Sequence, residues 1–143
     1  MLGRETIEQL IPHRGAMCLL DRVIEWDGEH VQLATATHCA ADNPLRANGR
    51  LRSVHLCEYG AQAMAVHGGL VARTQGRTPR PGLLVSLREV KLNIDFVEQL
   101  GGELFITTKR LHGTTTSWQY SFEIRHDGAV LAGGRAAIIA RAP

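Results

Sequence analysis

Arg52-Ser-Val-His-Leu-Cys-Glu-Tyr-Gly-Ala-Gln-Ala-Met-Ala-Val-His-Gly-Gly-Leu-Val-Ala72 is the stretch on which the fold turns. Between Arg52 and Arg73 it carries one formal charge, Glu58, among apolar, small and neutral polar residues. A helix of that composition is apolar nearly all round and is expected inside the protein rather than on its surface. A carboxylate in the first turns of such a helix is costly unless it is paired or used. Glu58 is therefore the first candidate for a functional residue.

Outward from this helix the signals are those of strands. Thr6–Ile11 reads as a short helix stopped by Pro12. Leu19–Trp26 and His30–Thr37 read as strands joined at Asp27-Gly28. Ala40–Leu51, with Asp-Asn-Pro and Asn-Gly, is loop-like, and Ser53 is placed to cap the long helix. Gly68-Gly69 is placed to loosen its far end, and Arg73–Gly82 is a connection. Strand signals follow in Leu83–Ile94 and Glu103–Leu111. Trp118, Tyr120, Phe122 and Ile124 then alternate with polar residues, and Ala129–Ala140 closes the chain. Asp127-Gly128 between two strand runs is a hairpin signature.

Runs of strands around one helix define an α+β chain, an antiparallel sheet wrapped on that helix. The 143 residues are expected to form a single domain, residues 1–143. One sheet covers one side of an apolar helix, so a second subunit is the expected cover for the rest.

The totals narrow the function classes. A net charge of +2 and few aromatic residues give no footprint for nucleic acid. No charge-free apolar run of membrane length is present, and the N-terminus lacks a charged-then-apolar leader. Cys18, Cys39 and Cys57 are odd in number and widely spaced, with neither metal-pair spacing nor a disulfide framework. The chain is thus read as cytoplasmic, without metal or cofactor.

Several motifs resemble those of a known family. Ile7-Glu8-Gln9-Leu10-Ile11-Pro12-His13-Arg14, followed by Met17-Cys18-Leu19-Leu20-Asp21-Arg22-Val23, resembles the opening of FabZ-type 3-hydroxyacyl-carrier-protein dehydratases. Glu58-Tyr59-Gly60-Ala61-Gln62-Ala63 resembles the Glu-x-x-Ala-Gln-Ala motif of that family's central helix. Phe96-Val97 through Leu104 and the Asp127-Gly128 hairpin are similar to its later strands. The resemblance implies the hot-dog fold, a curved antiparallel sheet around one long helix, in a homodimer or larger hot-dog oligomer. It also implies an acyl carrier protein or coenzyme A thioester as substrate carrier.

One departure is as informative. The family carries its catalytic histidine in a Gly-His-Phe-Pro-Gly-His-Pro loop before the helix. Counting that spacing back from Glu58 gives Pro44, and no histidine lies between Cys39 and Val54. The short loop, with the Gly82–Val85 strand start, is closer to the ApeP-like branch, dehydratase-related proteins of aryl polyene gene clusters.

Dehydration of a 3-hydroxyacyl thioester needs a base for the α-proton, an acid for the leaving hydroxyl and donors for the enolate-like oxygen. Glu58 is the candidate acid. The amides of Ser53 and Val54 at the helix start are the candidate donors. By position Ser53 matches the family's glycine whose amide has this part. His55 lies one turn before Glu58 and is either the replacement base or a core histidine bonded to Glu58 or to backbone. Gln62, one turn after, either orients Glu58 or caps backbone groups across a dimer. His13 reads as a structural anchor of the Pro-His-Arg turn, His38 as an exposed strand-end residue, and His67 as belonging to no constellation. Arg46, Arg50 and Arg52 before the helix, and Arg73, Arg77 and Arg80 after it, are either solvated loops or docking points for an acidic carrier or a phosphate; Arg52 lies nearest the site. The competing functions are a hot-dog thioesterase, with Glu58 activating water, and a non-catalytic subunit that binds a carrier protein or completes a partner dehydratase.

Overall fold

The computed structural model describes residues 2–78, 82–114 and 116–140. Seven strands and two helices follow in the order β1 (Leu2–Gly3), α1 (Arg4–Leu10), β2 (Arg22–Trp26), β3 (His30–Thr35), α2 (Leu56–Thr74), β4 (Gly82–Leu92), β5 (Leu104–Gly113), β6 (Ser117–His126) and β7 (Ala129–Ala140). The strands form one antiparallel sheet in the order β1-β2-β3-β5-β6-β7-β4. With α2 packed across it, this is the hot-dog arrangement the sequence led us to expect.

Apart from the two-residue strand β1, which the sequence reading lacks, the element order follows it, and the hairpin at Asp127-Gly128 is present. Both of its turn residues have positive φ, 48° and 80°, the backbone that a two-residue hairpin demands. Gly68-Gly69 does not loosen α2, which continues to Thr74. Gly69 is instead a contact point: a Cβ there would lie 3.1 Å from Cβ of Leu10 in α1. Part of the Arg73–Gly82 connection, with Arg80, lies outside the described residues.

The core lies between α2 and the concave face of the sheet. Leu56, Tyr59, Ala63, Val66 and Leu70 on one helix face are buried against Leu33, Leu104, Ile106, Phe122 and Ile124. Each such aliphatic side chain taken from water contributes about 1.5–3 kcal/mol. Gly60 lets the helix approach β6, since a Cβ there would sit 2.7 Å from Phe122 Cδ2.

Within the single chain the sheet covers one side of α2, and the rest is left for the second subunit that the sequence reading expects. The outer face of the helix, with Glu58 exposed and Ala61, Ala65 and Gly68 half-buried, is not covered by the sheet. The residues there are small, so they read as core in sequence while leaving a groove in three dimensions. β4 is equally uncovered. Among the described residues it is an edge strand paired only with β7, and Leu83, Val85 and Leu92 are 49%, 48% and 41% exposed. Long apolar edges of this kind are normally blunted or paired.

The segment between β3 and α2 is held from within. The Asn43 amide donates to the Tyr59 hydroxyl (3.0 Å) and to the Thr37 carbonyl (2.9 Å). Asn43 is 6% exposed, and its Oδ1 accepts the Leu45 amide at 2.9 Å. His38 corrects the sequence reading. Rather than exposed, it is 0% exposed, with Nε2 on the Leu100 carbonyl at 2.8 Å, and burial holds its pKa below the ordinary histidine value.

Candidate functional site

Glu58 stands in the first turn of α2 on the face turned away from the sheet. Its carboxylate makes no hydrogen bond or ion pair with the described residues. It borders a cavity of about 810 Å³ that runs along α2 past Ala61, Ala65 and Gly68 to Arg110, Trp118 and Tyr120. From Glu58 to Gly68 the helix rises about 15 Å, so the cavity is long enough for an extended chain. Within the single chain Glu58 is an unpaired carboxyl at the wall of a groove.

Gln62, one turn on, bonds within its own chain and makes no hydrogen bond to Glu58 among the described residues. Its Oε1 accepts the Leu19 amide (2.9 Å) and its Nε2 donates to the Met17 carbonyl (2.8 Å), while the residue is 2% exposed. Both ends of the amide are thus spent on pinning the 12–19 segment to α2. Arg4 holds the same segment from the other side, donating to the Gly15 carbonyl at 2.8 Å and to Asp21 Oδ1 at 3.0 Å.

The helix start differs from expectation in one amide. A 3-10 turn, Ser53–His55, precedes α2, and Ser53 makes no side-chain cap. Its amide donates to the Asp95 carbonyl at 2.9 Å, because Leu51 to Ser53 is stitched to Asp95–Val97. The Ser53 amide is not free to meet a thioester. Val54 is 49% exposed, and its amide has no acceptor among the described residues, so it remains a candidate donor.

His55 is half-buried and forms no bond to Glu58, nor is it part of the cavity wall. Arg52 is exposed, its guanidinium 5.1 Å from the Phe96 ring centroid. Arg50 lies over the same ring at 3.8 Å and pairs with the nearly buried Glu98 carboxylate at 3.0 Å. The Leu51 amide also donates to that carboxylate (2.8 Å), and these bonds lower the Glu98 pKa. Arg46 is turned onto the Gly49 and His38 carbonyls.

Sequence reasoning missed Arg110 and His13 at the cavity wall, and the partners of His67, which lies behind the lining residue Tyr120. His67 was left without a constellation, yet Nδ1 lies 2.9 Å from the Tyr120 hydroxyl and Nε2 2.9 Å from the Asp27 carbonyl. Arg110 donates to the same hydroxyl through Nε and Nη2, at 3.1 and 2.9 Å, and borders the cavity. His13 also borders the cavity that Glu58 borders. Its only sequence signal was the Pro-His-Arg turn after the short helix.

Comparison with known proteins agrees with this architecture. The family model for the ApeP-like group, described as ApeP dehydratase, matches residues 5–142. Among solved structures, the dehydratase heterocomplex ApeI:P from Xenorhabdus doucetiae contains a chain 25% identical, with TM-score 0.86, covering 95% of this chain and 91% of that one. A hypothetical thioesterase with coenzyme A from Streptococcus pneumoniae is 12% identical, with TM-score 0.62 and 84% of each chain covered. AziG from S. sahachiroi is 15% identical, with TM-score 0.61, covering 83% of this chain and 89% of that one. The last two share the fold alone. No curated protein matches the chain.

Proposed function

The chain belongs to the ApeP-like dehydratase family, and from that premise we propose that it removes water from a 3-hydroxyacyl thioester carried on an acyl carrier protein, with Glu58 as proton donor to the leaving hydroxyl. The observation that carries this reading is the unpaired Glu58 carboxyl on the wall of a cavity of about 810 Å³. A carboxyl tied up in an ion pair would have no proton to give. A carboxyl against a groove with a small-residue floor has room for an acyl chain beside it.

The Val54 amide at the start of α2 is placed to meet the developing oxyanion. For the carrier, the cluster before the helix narrows to Arg52, since Arg46 and Arg50 are engaged within the chain. Arg52 is exposed and free of any ion pair among the described residues, which suits a phosphate or an acidic carrier surface. The exposed apolar edge β4 suits pairing with a second hot-dog chain, either another copy or a related one. The heterocomplex that names ApeI:P supports the latter.

Purified protein, alone and mixed with a related hot-dog dehydratase, would be given 3-hydroxyacyl and saturated acyl thioesters of a carrier protein. Loss of one water from the first substrate, read by mass spectrometry, supports the proposal. Free thiol released from the second turns the reading to a thioesterase. Dehydration seen only in the mixture, and unaffected by Glu58→Gln, turns it to a non-catalytic subunit.

A further inference from the structure

Residues 40–51, where the resemblance to FabZ-type dehydratases would place a catalytic histidine, carry none and are pinned through Asn43, so the proposed reaction takes its base from elsewhere. We infer that His13 is that base, lining the same cavity as Glu58.

All seven histidines can be placed. His38 and His67 are fully buried, each with Nε2 on a backbone carbonyl. His30 is paired with Asp27 at 2.9 Å, and His126 Nε2 bonds the Gly101 carbonyl at 2.7 Å. His55 and His112 are not part of the cavity wall. His13 is the imidazole that borders the cavity.

Its placement follows from two anchors. Leu10 sits on Gly69, and the Met17 carbonyl is held by Gln62. The chain from Leu10 to Met17 therefore runs back along α2 over a rise of about 10 Å, toward Glu58, and His13 lies between these anchors. Gln62 and Arg4 fix the segment on both sides, so the ring is carried on a rigid support rather than a loose loop. Nδ1 of His13 is buried with no hydrogen-bond partner, and Nε2 makes no bond and keeps its access to solvent. His38 Nδ1 is also buried without a partner, but its Nε2 is spent on the Leu100 carbonyl, whereas His13 keeps one ring nitrogen open beside the cavity. The Pro-His-Arg turn thus does more than anchor α1.

The step balances with these two residues. Nε2 of His13 takes the proton from C2 of the 3-hydroxyacyl thioester. The electron pair of that bond passes through the enolate into the new C2–C3 double bond. The C3–O bond breaks, and the hydroxyl leaves as water with the proton of Glu58. One proton returned from the imidazolium to the carboxylate, through water, restores both groups.

This assignment rests on the dehydratase reading, and the test separates the two. The full-length protein, with its partner chain if activity needs one, is incubated in D₂O with a 3-hydroxyacyl carrier thioester. Deuterium entry at C2 and loss of water are followed together. Glu58→Gln is expected to retain C2 exchange and lose dehydration. His13→Asn and His13→Gln are expected to lose both by about 10²–10⁴-fold, with circular dichroism and melting curves unchanged in at least one of them. A folded His13 variant that exchanges C2 at the wild-type rate removes His13 and leaves the dehydratase reading standing. A wild-type protein that neither exchanges nor dehydrates removes both.

Discussion

The Tyr120 hydroxyl donates to Nδ1 of His67, and the geometry leaves no other assignment. Nε2 of His67 faces the Asp27 carbonyl at 2.9 Å and must carry the proton, so Nδ1 accepts at 2.9 Å. Arg110 then donates to the lone pairs of the same hydroxyl. His67 is neutral in the fold, with burial lowering its pKa to about 4.

That depression makes stability depend on pH. The unfolded chain takes up this proton below pH 6.5, while the folded chain refuses it until about pH 4. Stability therefore falls as pH drops through this window, by on the order of 3 kcal/mol in total. His38 adds in the same direction. Urea midpoints measured between pH 7 and pH 4 should decline, and His67→Gln should flatten the decline while lowering stability at pH 7. An equal slope in the variant would assign the acid sensitivity elsewhere.

Gln62→Leu should destabilise the fold by about 1–3 kcal/mol, because it strips partners from the buried Leu19 amide and the Met17 carbonyl. It should also slow turnover by freeing the segment that carries His13. Thermal melting and a dehydration assay check the two effects separately.

Gly60→Ala tests the closest approach of α2 to the sheet. The added methyl would meet the Phe122 ring at 2.7 and 2.9 Å. We expect a loss of about 1–3 kcal/mol from overpacking, more than the ~1 kcal/mol that alanine gains in helix propensity. A variant that melts above wild type would show that the ring gives way freely.

Glu58→Gln should leave the melting temperature unchanged, within about 0.5 kcal/mol, since its carboxylate bonds to nothing in the described chain. The same substitution should abolish water loss. A large drop in stability would point to a structural role for this carboxylate.

Leu83→Lys combined with Leu87→Lys should lower the mass seen by sedimentation, because both side chains are exposed on the open edge of β4. Particles of unchanged mass would place the assembly contact on another surface.

The strands were legible because their chemistry is local. Ala129–Ala140 has the bounds expected, and Trp118 to Ile124 alternate as a half-buried strand should. The long helix was equally plain, but its buried face was not. Ala61, Ala65 and Gly68 have the composition of a core position and of a groove floor alike, so composition alone could not tell which side of α2 stays open. Glu58 was found by its isolation in sequence. His67 and His38 were misread because their partners are distant in the chain: Tyr120 lies 53 positions from His67, and Leu100 lies 62 from His38. His13 was visible as a turn residue, yet only the fold of Leu10–Met17 along α2 brings it to the cavity of Glu58.

The Asn43 anchor bears on any attempt to graft the missing histidine back. The longer loop of FabZ-type proteins cannot simply be transplanted into 40–51, because it would displace the buried Asn43 that joins Tyr59 to Thr37. Such a chimaera would need a new companion for the Tyr59 phenol, whose ionisation burial already opposes. In this protein residues 40–51 serve as a fastening, which leaves proton transfer to groups outside that segment.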